Sequence, residues 1–308
     1  MTHRLYLNDD WLFTEQFEDS LVAPEYPENT LQPVRLPHTC KETPFHYFDE
    51  SLYQMVSGYR RHLLIPKDWQ GKRILLTFEG AAHDSTVFCN GKKVGEHHCG
   101  YTAFTVDLTD NVLYGQDNLL CVRLDSRENL NVPPFGYVID YMTYGGIYRD
   151  VWLTAVPNQH FNLTNHSSDG LFISTPQVSE ERGIISIRGE VKNDAKEKAT
   201  LELTHTIYRP DGTLLQTLKK NIQLKAGETY AFSNEATPVL KPELWTPETP
   251  RLYRVETTLR NRKTKTLLDQ SNHYTAFRWF RFDGDEGFFL NGKPYKLRGI
   301  CRHQDQKP

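Results

Sequence analysis

The sequence predicts an all-β protein made of two antiparallel β-sandwiches, and three observations support this. Apolar and polar residues alternate along many short segments, as half-buried strands require. Aromatic residues make up 12% of the chain, and no segment shows a comparable amphipathic helix pattern. Two Asn-Gly pairs lie between apolar runs, and such pairs favour tight hairpins because both residues tolerate positive φ.

The first half predicts antiparallel strands. Residues 74–78 (ILLTF) and 120–124 (LCVRL) alternate in the expected way. Between them, Asn90-Gly91 separates two apolar runs and predicts a hairpin. Residues 156–169 then gather Pro, Asn and Ser, which favour turns over sheet pairing, so we expect a domain boundary there.

Six or seven short strands with turns between them follow in about 110 residues. Ile185, Ile187 and Val191 would lie on one face of the first strand, and Tyr253, Val255 and Leu259 on one face of the last. Turns are predicted at Pro210-Asp211-Gly212 and Ala226-Gly227-Glu228. This spacing is typical of an immunoglobulin-like sandwich.

The last 22 residues predict the start of a further domain. Asn291-Gly292 predicts a hairpin, and Tyr295–Arg298 a strand. The residues that follow are polar, a composition typical of a strand end that opens onto a ligand pocket: Arg302, His303, Gln304 and Asp305.

Composition excludes several classes of protein. The formal net charge is −3, and no basic run is present, which disfavours nucleic acid and anionic membranes as partners. The N-terminal residues lack the apolar stretch of a signal peptide, and no segment approaches the length needed to span a bilayer. We therefore expect a cytoplasmic location.

The five cysteines are scattered and contain no C-x-x-C pair, so we expect reduced, mostly buried thiols.

Four segments together resemble glycoside hydrolase family 2, which includes β-galactosidases, β-glucuronidases and β-mannosidases. The tail GFFLNGKPYKLRGICRHQD resembles the entry into the catalytic barrel of that family. The other three resemble the middle and end of its sugar-binding jelly-roll and the late part of its immunoglobulin-like domain: VFCNGKKVGEHHCGYTAFTVDLT (87–109), PPFGYVIDYMTYGGIYRDVWL (133–153) and ELWTPETPRLY (243–253).

The resemblance implies a jelly-roll at residues 1–157, an immunoglobulin-like sandwich at 158–281, and the truncated start of a (β/α)8 barrel at 282–308. Family members perform retaining hydrolysis with two glutamates about 5 Å apart. Both would lie after Pro308, so the resemblance implies no catalytic residue in this chain. The resemblance implies the remainder of the barrel as the protein partner. It leaves open whether the protein forms a homo-oligomer.

Asp140 matches an acidic residue that, in related galactosidases and glucuronidases, reaches from the jelly-roll to the bound sugar. A carboxylate accepts strong hydrogen bonds from sugar hydroxyls. Without the resemblance, a solvated loop aspartate is the better explanation. His303 matches a histidine beside the sugar, where an imidazole can donate or accept a hydrogen bond; the alternative is a structural histidine at the barrel floor.

Arg302 and Asp305 flank His303, and we expect them to support the site rather than to contact the sugar. Four other positions have structural explanations: Trp11 in the core, His38 in a turn, and the pair Arg149-Asp150 in a strand. His97 and His98 are adjacent and would point to opposite faces of a strand, which disfavours shared metal coordination.

Two departures from the family pattern leave the identity of the sugar undetermined. Cys301 and Gln304 stand where many relatives have asparagine and glutamate, respectively. The family implies no cofactor in this chain. It implies Mg or Na in the full-length enzyme, and within this chain only Asp140 could serve as a partial ligand of the sodium ion.

We therefore expect the non-catalytic N-terminal portion of a family 2 enzyme that hydrolyses β-D-galactosides. A β-glucuronidase or another family 2 hydrolase is the alternative. A stand-alone carbohydrate-binding module is another, with Tyr101, Tyr137 or Tyr141 stacking on sugars. A third hypothesis is that both sandwiches are adhesion or assembly modules. This hypothesis predicts a signal peptide, and the N-terminal residues lack the apolar stretch of one.

Overall fold

A computed structural model of the protein describes residues 3–42, 49–133 and 143–302. These residues divide into two compact units, one ending at Val156 and the other beginning at Pro157. We call them the N-terminal unit and the C-terminal unit. Within these ranges the regular structure is almost entirely β, which confirms the predicted fold class; the helical residues described lie in four short 3-10 turns: Asp19–Val22, Glu28–Thr30, Glu50–Tyr53 and Lys67–Trp69.

The N-terminal unit is a sandwich of two antiparallel sheets. Its strands are β1 (His3–Tyr6), β2 (Trp11–Thr14), β3 (Gln32–Val34), β4 (Val56–Leu64), β5 (Arg73–Phe78), β6 (Asp84–Cys89), β7 (Lys92–His98), β8 (Phe104–Asp107), β9 (Asp117–Asp125) and β10 (Val151–Val156). One sheet has the order β1-β10-β5-β8, and the other β3-β2-β4-β9-β6-β7. This is the jelly-roll that the resemblance implies.

The predicted alternation holds in this sandwich, with one difference. Ile74, Leu76 and Phe78 of β5 lie in the core between the sheets, as expected. However, Leu75 and Thr77 on the opposite face of β5 are also buried, so this strand is not half-exposed. On β9, Cys121 is likewise buried on the outer face, where it packs in a small cluster with Leu21 and Leu31. The segment that contains Leu21 and Leu31 therefore covers part of a face that the pattern alone leaves open.

The C-terminal unit is a second antiparallel sandwich with its own core. Its strands are β11 (Gln159–Phe161), β12 (Leu171–Val178), β13 (Arg182–Asn193), β14 (Ala199–Tyr208), β15 (Leu214–Leu224), β16 (Thr229–Glu235), β17 (Val239–Leu240), β18 (Tyr253–Asn261), β19 (Leu267–Thr275), β20 (Phe280–Asp283), β21 (Gly287–Leu290) and β22 (Lys293–Pro294). Strands β11, β12, β16 and β17 all pair with β13, and the facing sheet has the order β15-β14-β18-β19.

The core of this unit contains the residues that the pattern selects. Ile185, Ile187 and Val191 of β13 face Tyr253 and Val255 of β18 in one buried cluster. The predicted turn glycines also adopt positive φ. Strand β11 lies inside the segment where turn residues predicted a break, so the break is shorter than expected. The predicted domain bounds themselves stay a prediction.

Both Asn-Gly hairpins are confirmed. Asn90 and Gly91 have φ of 48° and 80°, and Asn291 and Gly292 have φ of 50° and 76°. They connect β6 to β7 and β21 to β22. Only residues that tolerate the left-handed region fit both turn positions without strain.

The predicted strand at Tyr295–Arg298 does not form within the described residues. Strand β22 covers Lys293–Pro294, and the Tyr295 N–H still donates to the Phe288 carbonyl at 2.9 Å. Beyond Tyr295 no described strand lies beside the chain. A strand needs a neighbour to satisfy its backbone groups, so the apolar pattern alone did not produce one.

Candidate functional site

Most of the predicted site residues lie outside the described residues. Asp140, His303 and Asp305 belong to this group, so the predicted pocket formed by Asp140 and His303 stays a prediction. Arg302 is described, and it is exposed and outside any strand. What the structure does describe is the segment that follows the Asp140 region, residues 143–150, and the residues that hold it.

Backbone hydrogen bonds fix the 143–150 segment from two sides. The Cys40 N–H donates to the Gly145 carbonyl at 2.9 Å, and the His38 N–H donates to the Ile147 carbonyl at 2.8 Å. On the other side, Ala82 and Gly146 exchange both of their backbone bonds, at 2.9 and 3.2 Å. The 143–150 segment is therefore held between two parts of the jelly-roll.

The two glycines of this segment are required by space and conformation. Gly146 has φ of +127°, and a Cβ there would lie 2.4 Å from the His38 carbonyl oxygen. A Cβ on Gly145 would lie 2.4 Å from the Ser126 Cβ and 2.7 Å from the Cys40 Sγ. Larger side chains would push the segment away from its supports. No local sequence pattern indicates this close packing.

The Ser126 side chain lies against Gly145 of the same segment. Its Oγ lies 2.5 Å from the Tyr53 carbonyl oxygen and 3.1 Å from the Met55 carbonyl oxygen. The Cys40 thiol lies beside it, with Sγ 4.0 Å from the Ser126 Oγ. Burial raises the pKa of Cys40 to about 11, so the thiol is protonated near neutral pH. Because the thiolate is the nucleophile, Cys40 acts here as a buried packing residue.

A buried histidine, His83, follows the Ala82 that pairs with Gly146. His83 is 3% exposed, and burial lowers the pKa of its imidazole, which therefore stays neutral. Its Nδ1 and the Oγ of Ser85 have no hydrogen-bond partner among the described residues. Ser85 belongs to the buried row of β6, and His83 lies immediately before that strand. Sequence analysis did not select either residue, since only burial distinguishes them from ordinary polar strand residues.

Trp11, His38 and Asp150 make structural contacts, as predicted, but Arg149 and Asp150 precede β10 instead of lying in a strand, and Arg149 Nε lies 3.8 Å from the Glu79 carboxylate. His38 Nδ1 lies 2.9 Å from the Tyr59 Oη, and burial lowers the pKa of His38. Trp11 is fully buried and donates its indole N–H to the Leu7 carbonyl at 2.5 Å. Asp150 accepts a hydrogen bond from the Asn8 amide at 2.9 Å.

His97 and His98 contact different partners, as their adjacent positions on β7 require. The His97 ring stacks on Phe104 at 4.6 Å, whereas His98 Nδ1 lies 3.1 Å from the Asp84 carboxylate. Across the described ranges, no group of three His, Cys, Asp or Glu side chains is arranged to hold a metal ion.

Of the three tyrosines proposed for sugar stacking, the structure describes Tyr101, which is 46% exposed. Tyr137 and Tyr141 lie outside the described residues. The cysteine prediction is confirmed: Cys40, Cys89 and Cys121 are buried, and all five cysteines are free. In the part of the chain that the structure describes, no helix is long and apolar enough to cross a membrane.

Two family models match the chain, and they fall in different units. The model for the sugar-binding domain of glycosyl hydrolases family 2 matches residues 7–157, and a second model described as glycosyl hydrolases family 2 matches residues 169–278. Together they cover most of the chain, and residues 279–302 lie outside both.

Curated relatives align along nearly the whole chain. A β-galactosidase from Thermoanaerobacter pseudethanolicus is 33% identical over 97% of this chain and 38% of its own length. A β-glucuronidase from Bacteroides fragilis is 33% identical over 98% of this chain and 41% of its own length. The chain thus spans about two fifths of the length of these relatives.

A solved structure of a Bacteroides uniformis β-glucuronidase superimposes with a TM-score of 0.93 and 63% identity, and it covers 100% of this chain and 36% of its own. With both sandwiches and both family models in agreement, the chain belongs to glycoside hydrolase family 2. It matches the part of the family that carries the sugar-binding jelly-roll and the immunoglobulin-like domain, which confirms the resemblance drawn from the sequence. The relatives are glycosidases.

Proposed function

We propose that this chain is the non-catalytic N-terminal portion of a retaining β-glucuronidase. The supporting observation is the 63% identity, over the whole chain, to the Bacteroides uniformis β-glucuronidase. One structure of that protein is covalently bound to a cyclophellitol-6-carboxylate aziridine. A 6-carboxylate is the group by which a glucuronide differs from a neutral hexoside. This proposal revises the galactoside that we expected from the sequence.

A β-galactosidase remains the second candidate, because one specific observation favours it. The Thermoanaerobacter pseudethanolicus relative is named a β-galactosidase and aligns along 97% of the chain. Its identity of 33% is about half that of the Bacteroides uniformis protein. We therefore rank the galactoside below the glucuronide.

Hydrolysis by the whole protein distinguishes the two substrates. We expect the complete gene product to release nitrophenol from 4-nitrophenyl β-D-glucuronide with a kcat/KM at least about a hundredfold above that for the galactoside, the size of discrimination that one recognised charged group supplies. The reverse order would favour the β-galactosidase. Turnover of neither compound would contradict both.

In this proposal Asp140 and His303 contact the sugar, while two glutamates outside this chain perform the chemistry. Asp140→Asn keeps the shape of the side chain and removes its charge, so we expect it to lower kcat/KM by about a hundredfold without changing the melting temperature. His98→Asn is the matched control, because His98 is half-exposed and pairs with Asp84. An unchanged kcat/KM in both Asp140→Asn and His303→Asn would contradict the proposed pocket.

The stand-alone sugar-binding module is tested with the 308-residue chain itself. Calorimetry with glucuronate, galactose and lactose at millimolar concentration should give no heat if the jelly-roll supports a pocket completed elsewhere. Measurable heat that is lost in Tyr101→Ala would favour the module, since exposed aromatic rings stack on sugar faces. A cytoplasmic location and a metal in the whole enzyme stay predictions.

A further inference from the structure

A pocket of about 490 Å³ lies in the C-terminal unit beside the end of β12. Its lining includes the side chains of Arg182, Arg278 and Trp279, together with Thr175 and Gln177 of β12. Among the described residues, no carboxylate lines this pocket, whereas two other pockets of the same unit each include a glutamate beside their basic residues. We call it the arginine pocket. Its lining carries positive charge that no acidic side chain of the pocket offsets.

A bulge in β12 shapes one wall of the arginine pocket. Two residues of β12, Thr175 and Pro176, oppose a single residue of β13, Ile185. Proline has no N–H to give to a sheet, and a bulge re-aims the side chains on either side of it. Among the described strands, β12 pairs only with β13. The bulge therefore bends an edge strand at the place where Thr175, Pro176 and Gln177 line the pocket.

The two guanidinium groups of the arginine pocket have no carboxylate partner among the described residues. Arg182 and Arg278 are both exposed, and Glu180 and Glu181 in the adjacent turn form no ion pair with either of them. The Arg278 guanidinium lies 4.6 Å from the centre of the Trp245 ring. Stacking on an aromatic ring orients a guanidinium and leaves its N–H groups free to donate. The pocket therefore presents charged donors that no described acid occupies.

Trp279 adds an aromatic surface beside these charges. Its backbone is fixed by Asn291: the Trp279 N–H donates to the Asn291 Oδ1 at 3.1 Å, and its carbonyl accepts from the Asn291 N–H at 2.9 Å. The side chain is half-buried, and its indole N–H donates to no described residue. Aromatic rings pack on the apolar faces of ligands, and an indole N–H needs an acceptor. A fixed ring beside two guanidiniums suits a ligand that is both a sugar and an anion.

We propose that the arginine pocket binds a uronate residue of an acidic carbohydrate. The carboxylate accepts charge-assisted hydrogen bonds from Arg182 and Arg278, which are stronger than bonds between neutral groups. The sugar ring lies on Trp279, and its hydroxyls face the Gln177 amide and the Thr175 hydroxyl. The volume falls within the range of about 300–1,000 Å³ that small-ligand pockets occupy. This inference goes beyond the proposed function, because it concerns binding by the C-terminal unit and requires no hydrolysis.

NMR of the indole N–H signals in the 308-residue chain tests this inference. The chain has five tryptophans, and Trp279→Phe identifies the signal of Trp279. We expect D-glucuronate to shift this signal at constant ionic strength. A monosaccharide makes few contacts in so open a pocket, so we expect a dissociation constant of tens of millimolar, which gives no heat at millimolar concentration. D-glucose lacks the carboxylate, so the initial slope of its shift should be at least about tenfold smaller.

Three results would overturn the inference. One is a Trp279 signal that D-glucuronate leaves unchanged at several times the expected dissociation constant. Another is an equal shift with D-glucose, because the pocket would then not recognise the carboxylate. The third is an equal shift with sodium acetate, since the pocket would then bind small carboxylates without recognising a sugar.

Variants separate the arginine pocket from general surface charge. Arg182→Gln with Arg278→Gln should reduce the initial slope for D-glucuronate at least about tenfold. Arg182→Lys keeps the charge and loses the paired N–H geometry, so its slope should lie between those of the original chain and Arg182→Gln. Arg188→Gln is the matched control, because Arg188 is an exposed arginine of β13 that lines a different pocket. Equal reductions in the control and the double variant would contradict the inference.

The NMR readout is independent of catalysis. Binding at Trp279 without turnover of any glucuronide by the complete protein would leave this inference intact and remove only the proposed function. Turnover of a glucuronide without a shift at Trp279 would remove only this inference.

Discussion

At the scale of single residues, burial decides roles that the sequence leaves open. Alternation in ATLELTHTIY places His205 in the core, yet nothing in the pattern distinguishes it from its apolar neighbours. It is 1% exposed; its Nδ1 lies 2.9 Å from the Thr257 Oγ1 and its Nε2 3.0 Å from the Asn234 amide. With the amide donating to Nε2, the proton resides on Nδ1. His205 therefore links β14 to a strand in each sheet as a neutral imidazole.

The C-terminal unit should lose stability in mild acid because of His205. Burial lowers the pKa of His205 from 6.5 to about 4. A depressed folded-state pKa means that the unfolded chain binds the proton first, so the contribution is complete above pH 6.5 and is lost as the pH falls towards 4. The free energy of unfolding should therefore be about 3 kcal/mol smaller at pH 4 than above pH 6.5. Urea unfolding between pH 7 and 4 measures it, and a slope that is unchanged in His205→Asn would contradict the assignment.

Gly146→Ala should destabilise the N-terminal unit by about 2 kcal/mol or more. The new Cβ would meet the His38 carbonyl oxygen at 2.4 Å, in a backbone conformation with φ of +127° that alanine avoids. Gly71→Ala is the control, because Gly71 also has positive φ but nothing within 4 Å of its Cβ position, so it should cost only about 1 kcal/mol. Equal losses in the two variants would show that close packing against His38 has no effect.

At the scale of elements, hairpins and core strands were predictable, whereas elements that depend on distant neighbours were not. The two Asn-Gly turns carry their conformation in two residues, so the sequence sufficed. By contrast, the apolar pattern of Tyr295–Arg298 predicted a strand that has no pairing partner among the described residues. The buried outer face of β9 was missed because the covering residues, Leu21 and Leu31, lie about 90–100 positions away and show no periodicity.

The segment between Asp19 and Val34 depends on one buried charge. Arg60 of β4 is fully buried; it donates to the Leu21 carbonyl, to the Ala23 carbonyl at 2.8 Å, and to the Glu28 carboxylate at 2.8 Å. Because these acceptors lose a charged donor at once, Arg60→Met should cost about 2–3 kcal/mol and speed cleavage of this segment by protease. Arg35→Met, which removes an exposed ion pair with Asp9, is the control and should have little effect.

At the scale of the whole molecule, the sequence predicted more of the fold than of the site. Two sandwiches and the family follow from strand patterns and four segments spread along the chain. The site was predicted only by analogy, and Asp140 and His303 lie outside the described residues. The structure instead identifies the contacts that hold the 143–150 segment, above all those of Gly145, Gly146 and Ser126. Their importance comes from close approach in space, which no local pattern records.

The central claim is that this chain supports a sugar pocket but does not perform the hydrolysis. The most direct test compares the purified 308-residue chain with the complete gene product on 4-nitrophenyl β-D-glucuronide at equal molar concentration. We predict turnover by the complete protein and none above the uncatalysed rate by the 308-residue chain, because our proposal places the two glutamates of retaining hydrolysis outside this chain. Turnover by the purified 308-residue chain would contradict the claim.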